Sequence, residues 1–474
     1  MKIRLIAGLI AGALALAGCN NDSNSDTPVP KNVLFFLGDG YGMVPMTAAR
    51  IYAVGEDGEM VIDTLPETAF VKTFSNDAQV TDSAPSMSAY MTGVKMNNEV
   101  ISMSSDTLAK TPATDLSSTC PATGNGTPAT TLLELAKAAG RATAVVTTTR
   151  VTHATPAATY AHICHRDAEN DIANQLVPGG TGFNSKLADG VDVVLGGGWQ
   201  HFLAKGNAKG SSRADTRDLT AELAAKGYTV VNDRNALNAV TATSSTRLLG
   251  LFTKGHMNFD LDRDPATEPS LAEMTSKAID IASKNPKGFF LMVEGGRIDQ
   301  ALHPTLARKA LQDAKAFDEA IKLALDKMKV IDPDLKNTLV VVTADHDHTL
   351  VLNGYAARTG KTTDASPGIL GLMRSYDAPT VPAKDADGKP FTTLVFGNGE
   401  NRVQTARSAM ADLTDAAVYD KNYHQEAAVR VSAGNETHGG SDVFLGATGL
   451  GADGFHGTID NTAVFAIIKQ AVGL

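Results

Sequence analysis

Short apolar runs rich in β-branched residues alternate with helical patterns along most of this chain, and that alternation leaves few architectures open. Val33–Leu37, Ala142–Thr147, Val191–Leu195, Phe289–Val293 and Leu339–Thr343 read as strands. Val33–Leu37 and Phe289–Val293 are apolar throughout rather than every second residue, as expected of strands covered on both faces. Between them, helical patterns are predicted around Pro45–Ala53, over Thr131–Ala139 with Gly140 as its stop, over Ser270–Ser283 with Ser270 as its cap, and over Pro304–Met328. In the last, Leu306, Ala310, Leu311, Ala314 and Phe317 fall near one face. Strand–helix alternation of this kind predicts an α/β fold with a mostly parallel central sheet flanked by helices on both faces. Such sheets bind ligands off the carboxyl ends of their strands. Asp39, Glu294 and Asp345 each stand at or just after such an end, which points to one shared site.

The chain's 474 residues allow a large core, and 43% hydrophobic against 20% charged residues exclude general disorder. A net charge of −10 argues against a non-specific nucleic-acid binder. At the N-terminus, Lys2 and Arg4 precede an apolar stretch, Leu5–Ala17, too short to span a bilayer but suited to a signal peptide. Leu16-Ala17-Gly18-Cys19 resembles a bacterial lipobox. The expectation is therefore a lipoprotein-type signal over residues 1–18, a lipid on Cys19, and a flexible tether over 19–30. Membrane attachment would then be through Cys19 alone, on an exported protein anchored at the outer membrane or left in the periplasm. Ordinary cleavage without lipid is the plainer alternative. Cys120 and Cys164 remain; an exported pair is usually a disulfide, here favoured over two buried thiols. Residues 31–474 read as one catalytic domain with insertions at about 200–245 and 351–435, the latter rich in Gly, Pro, Lys, Asp and Thr.

The chemistry-bearing residues come in short pieces: Gly38-Asp39-Gly40, Thr81-Asp82-Ser83-Ala84, His153-Ala154-Thr155-Pro156, Val293-Glu294-Gly295-Gly296 with Asp299 and His303, Thr343-Ala344-Asp345-His346, and Glu436-Thr437-His438-Gly439. Carboxylates and imidazoles in this proportion suit zinc with an open position. Asp39 with Asp345 and His346 makes one such set, and Asp299 with His303 and His438 a second. Glu294, Thr155 and Asp39 offer hard oxygens that suit Mg²⁺. Taken alone, Ser83 reads as a helix cap and Arg166 as a surface charge, as do Arg141 and Arg150. Beside the ligand sets, Ser83 becomes a nucleophile and Arg166 a two-pronged phosphate clamp.

In those motifs and their order, residues 31–474 resemble the alkaline phosphatases. The resemblance implies two Zn²⁺ and one Mg²⁺ per chain. It assigns Asp299, His303 and His438 to the first zinc, Asp39, Asp345 and His346 to the second, and Asp39, Thr155 and Glu294 to magnesium. It makes Ser83 the nucleophile, Arg166 the phosphate ligand and His348 the residue that orients a zinc carboxylate, with Asp82 and Gln300 in supporting positions. It also implies phosphate monoesters as substrates, and homodimers as the common assembly. His153 stands where some bacterial members have an aspartate, as in the branch shared with animal enzymes. The third site is thus expected to hold Mg²⁺ less tightly or to accept Zn²⁺, since imidazole prefers zinc. Gln300 stands where that bacterial type has a lysine, which removes a charge near the phosphate. Asp260 and Glu268 fall where animal members bind Ca²⁺, without an evident third carboxylate.

The expected reaction is hydrolysis of phosphate monoesters at alkaline pH through a phosphoserine. The alternatives are a phosphodiesterase of the same superfamily and a non-catalytic phosphate- or metal-binding lipoprotein. A sulfatase is disfavoured because Ser83-Ala84-Pro85-Ser86-Met87 lacks the arginine of that motif.

Overall fold

The computed structural model describes residues 32–474, so the expected signal, Cys19 and tether lie outside the described residues. A ten-stranded sheet forms the centre. In chain order its first eight strands are β1 (Asn32–Gly38), β2 (Glu67–Lys72), β3 (Ala142–Arg150), β4 (Val193–Gly197), β5 (Tyr228–Val231), β6 (Arg247–Leu251), β7 (Phe289–Gly295) and β8 (Thr338–Ala344). The strands Val443–Gly449 and Gly457–Asp460 complete it. Pairing is parallel along β8-β1-β7-β3-β4-β6-β5. Val443–Gly449 runs antiparallel between β8 and β2, and Gly457–Asp460 returns parallel to β2. The mostly parallel expectation holds, as does its cause: Val33–Leu37 and Leu339–Val342 are wholly buried. Each such side chain contributes roughly 1.5–3 kcal/mol by leaving water.

Several helices start where the sequence supplies a side-chain cap. α1 spans Met43–Val54 and α2 Ser83–Thr92. α3 spans Leu132–Ala138, with Thr131 and Glu134 closing a reciprocal cap. Ser270 and Glu273 do the same for Leu271–Ala282. The expected helix over Pro304–Met328 is displaced: Ala307–Ile331 is helical, while Thr305 adopts φ 60° and interrupts the chain after the short helix Arg297–Leu302. That break ends the Asp299-bearing helix at His303 and lets Thr305 O accept from Gln425 N at 3.0 Å.

Residues 200–245 carry β5, one of the two edge strands of the central sheet. Within 351–435, Leu394–Gly399 pairs antiparallel with Leu350–Leu352 and parallel with Ala427–Arg430. Cys120 and Cys164 are disulfide-bonded, with Cα atoms 5.8 Å apart. Among the described residues, no helix is long and apolar enough to cross a membrane.

Candidate active site

Strand register builds the site. Leu37 pairs with Glu294 and Gly38 with Ala344, so Asp39, Glu294 and Asp345 emerge side by side at the carboxyl ends of β1, β7 and β8. Gly40 follows at φ +66°, where a Cβ would lie 2.5 Å from the His348 ring. Only glycine accepts that conformation and that approach, and Gly40 N donates to Asp345 Oδ1 at 3.0 Å. His346 Nε2 lies 3.3 Å from Asp39 Oδ1 and 3.5 Å from Asp345 Oδ2.

Ser83 is the first residue of α2. Asp82 caps that helix, its Oδ1 accepting from Ala84 N at 2.7 Å. The Ser83 hydroxyl is thereby free of capping duty. It sits 3.4 Å from Asp39 Oδ1 and 3.3 Å from His346 Nε2.

The second group is equally tight. Asp299 Oδ1 lies 3.1 Å from His303 Nε2 and 3.5 Å from His438 Nε2, and the two imidazole nitrogens are 3.3 Å apart. His346 and His438, one from each group, stack with centroids 3.5 Å apart, so the groups adjoin. His348 Nε2 contacts Asp299 Oδ1 at 2.9 Å while Nδ1 contacts Glu436 Oε2 at 2.6 Å. Burial disfavours a charged ring there, but the two carboxylates push its pKa up to about 10. Gln300 Nε2 donates to the other oxygen of Asp299 at 3.0 Å.

The third group is Asp39, Glu294 and His153, whose ligand atoms lie within 4.8 Å of one another. Burial pushes Glu294 up to about 7, against the hydroxyls of Thr147 and Thr149. Thr155 also lowers Glu294, though its hydroxyl makes no hydrogen bond of good geometry. Arg166 Nη2 donates to His153 Nε2 at 3.0 Å and Nη1 to Asp82 Oδ1 at 2.8 Å. One guanidinium therefore bridges the third group and the cap of the Ser83 helix.

These residues fit bound cations. Asp39 Oδ2, Glu294 Oε1, Asp345 Oδ2, His153 Nδ1 and Thr155 Oγ1 are buried without a hydrogen-bond partner. Asp39, Glu294, Asp299 and Asp345 are all buried carboxylates, and Arg166 is the arginine that reaches this cluster. Buried charge without a counter-charge is costly; divalent ions remove that cost.

Asp260 and Glu268, the pair that the resemblance places at a Ca²⁺, stand apart from these groups and are held by protein donors. They line one small cavity with Asp313 and Arg263. Arg263 Nη2 sits 3.1 Å from Asp260 Oδ1, Gln312 Nε2 donates to Asp260 Oδ2 at 2.8 Å, and Asn258 takes both Glu268 oxygens. Arg263 supplies one positive charge against these carboxylates. Asp313 beside them has its pKa pushed up to about 8 by burial, against the pull of Arg297. A raised pKa in the fold means stability that is full below pH 4 and lost as pH rises towards 8. Asp313→Asn is therefore expected to raise Tm more at pH 8, by roughly a few degrees, than at pH 5. Thermal unfolding at both values checks this; an equal change at both would refute it.

Several residues take roles that their local sequence does not mark. Glu436, in the motif that carries His438, is buried and anchors His348 and the Thr349 amide. Thr147 and Thr149 hold Glu294; their signal is a run of three threonines near the end of β3. Arg150 is not a free surface charge, since it is paired with Glu169 at 2.7 Å. Arg141 likewise donates to Val472 O at 2.6 Å.

Comparison with known proteins agrees with this geometry. The family model for alkaline phosphatase matches residues 30–474. The tissue-nonspecific alkaline phosphatase of Rattus norvegicus is 37% identical, covering 94% of this chain and 84% of the relative. The alkaline phosphatase of Gadus morhua is 36% identical over 90% and 88% of the two chains. Among solved structures, the Thermus thermophilus alkaline phosphatase superposes with a TM-score of 0.67 at 27% identity, covering 98% of this chain and 96% of that one. The enzyme of the Antarctic bacterium TAB5, at 23% identity and a TM-score of 0.64 over 94% and 99% of the chains, shares the fold. The chain belongs to the alkaline phosphatase family.

Proposed function

We propose that Ser83 carries the phosphoryl group in the metal-dependent hydrolysis of phosphate monoesters, the reaction of the family to which the chain belongs. The observation that supports this most is the placement of its hydroxyl between Asp39 and His346, at the meeting point of the buried carboxylates. Asp299, His303 and His438 would hold one Zn²⁺, and Asp39, Asp345 and His346 a second. Asp39, Glu294 and Thr155, with His153 beside them, would hold Mg²⁺, or zinc given the imidazole. Bound, such ions supply Lewis-acid charge that acidifies the attacking hydroxyl and water and neutralises phosphate and leaving oxygen.

The chain's own groups do the rest. Ser83 Oγ attacks phosphorus in line, the ester P–O bond breaks, and the alcohol departs with a proton. Water then attacks the phosphoserine, the P–Oγ bond breaks, and inorganic phosphate leaves with Ser83 regenerated. Arg166, held by Asp82, offers its remaining N–H groups to the non-bridging phosphate oxygens. His348 keeps Asp299 oriented.

A diester has one charge and one free oxygen fewer for Arg166 to bind. Turnover of p-nitrophenyl phosphate is expected to exceed that of bis-p-nitrophenyl phosphate by more than about a hundredfold. Comparable rates would favour a diesterase, and no turnover of either would favour a binding protein.

A further inference from the structure

Between the segment carrying Arg166 and the turn carrying His153 lies a buried carboxylate to which the chemistry above gives no task. Glu169 opens the short helix Glu169–Asn174, three residues beyond Arg166. Its Oε2 accepts from Thr152 Oγ1 at 2.6 Å and from Arg150 Nε at 2.7 Å, and its Oε1 from Arg150 Nη2 at 2.7 Å. His201 Nε2 stands 3.3 Å away. Arg150 and Thr152 are the two flanks of the turn that delivers His153, so one carboxylate fixes both. From Arg150 the contact continues: Nη1 donates to His256 Nε2 at 2.5 Å, and the His256 ring stands edge-on to His153 with centroids 5.3 Å apart. His153 in turn accepts from Arg166. The chain of contacts leaves Glu169 and returns to Arg166 through the imidazole of the third group. Although burial opposes it, Arg150, His201 and Thr152 hold the Glu169 pKa down to about 2, so the anchor stays charged at any working pH.

We propose that Glu169 is a positioning residue for the third cation group. It locks the turn from Arg150 to His153 so that His153 and Thr155 stay beside Asp39 and Glu294. The inference rests on the reading of those four residues as a cation site. Residues that orient metal ligands typically change metal affinity by 10–100-fold when lost. An acid that served packing alone would lower Tm without singling out one ion.

The test uses the full chain carrying Glu169→Gln, and separately Thr152→Val, which removes one hydrogen bond at nearly constant volume. Each protein, loaded with zinc and freed of magnesium, is titrated with MgCl₂. The readouts are bound magnesium by elemental analysis and the magnesium-dependent rise in Tm, with activity alongside. Glu169→Gln is expected to keep its zinc, to need about tenfold more Mg²⁺ for half-saturation, and to regain wild-type kcat at saturation. Thr152→Val is expected to shift the midpoint a few-fold the same way, which keeps the test open should the first variant fold poorly. An unshifted midpoint in both variants overturns the inference, and so does loss of zinc in step with magnesium. A wild-type protein that takes up no third ion overturns the reading of the site itself, a result distinct from either.

Discussion

Ser83→Ala is expected to lower monoester turnover by about a thousandfold or more while leaving the fold and the metal content intact. The size follows from the role: a nucleophile has no substitute, and loss of one member of such a constellation costs nearly as much as loss of all. The selectivity follows from the structure. Ser83 is the first residue of α2, but Asp82 is its cap, so alanine at this position removes no helix-starting hydrogen bond. Alanine is also a strong helix former. The variant should therefore unfold within a few degrees of wild type. Acid-quenched single-turnover samples should carry one phosphoryl group on the Ser83 peptide in wild type and none in the variant. Turnover within about tenfold of wild type would mean that water attacks the ester directly.

Stripping the ions with a chelator is expected to abolish activity and to lower Tm, with zinc and magnesium together restoring both and calcium restoring neither. The buried carboxylates of Asp39, Glu294, Asp299 and Asp345 then lack their counter-charges. Each ion present at about a hundredfold over its Kd contributes about 2.7 kcal/mol to the folded state. The pH dependence has a definite sign. Burial pushes Asp345 up to about 6 and Glu294 up to about 7 in the metal-free fold. With folded pKa values above the unfolded ones, their contribution is full at low pH and lost as pH rises through 6 to 7. Cations bind the deprotonated forms and reverse that loss. The Tm difference between loaded and metal-free protein should thus widen from pH 5 to pH 8. A difference constant across that range, or restoration by calcium alone, would contradict the assignment.

Much of this arrangement was written locally in the sequence. The fully apolar runs at β1, β7 and β8 announce a sheet covered on both faces, and the acids directly after them mark its ligand-binding edge. Thr131 with Glu134 and Ser270 with Glu273 announce helix starts in the same local way. What local sequence does not mark depends on partners distant along the chain. Glu169 and Arg150 look like ordinary surface charges until folding pairs them, and Glu436 becomes an anchor only when its strand neighbour His438 pairs with His348. The edge strand β5 is short and the interior strand Val443–Gly449 is rich in glycine, so neighbouring strands rather than local preference define them. Thr305, directly after Pro304, turns out of the helical conformation at φ 60° and its carbonyl accepts from Gln425 N, a partner distant in sequence.

Elemental analysis of the purified full-length protein tests the central claim most directly. Convergence of the carboxylates and imidazoles around Ser83 requires two equivalents of zinc and a third ion, magnesium or zinc, per chain. Less than one equivalent of zinc in protein that turns over monoesters, or calcium in its place, would contradict it.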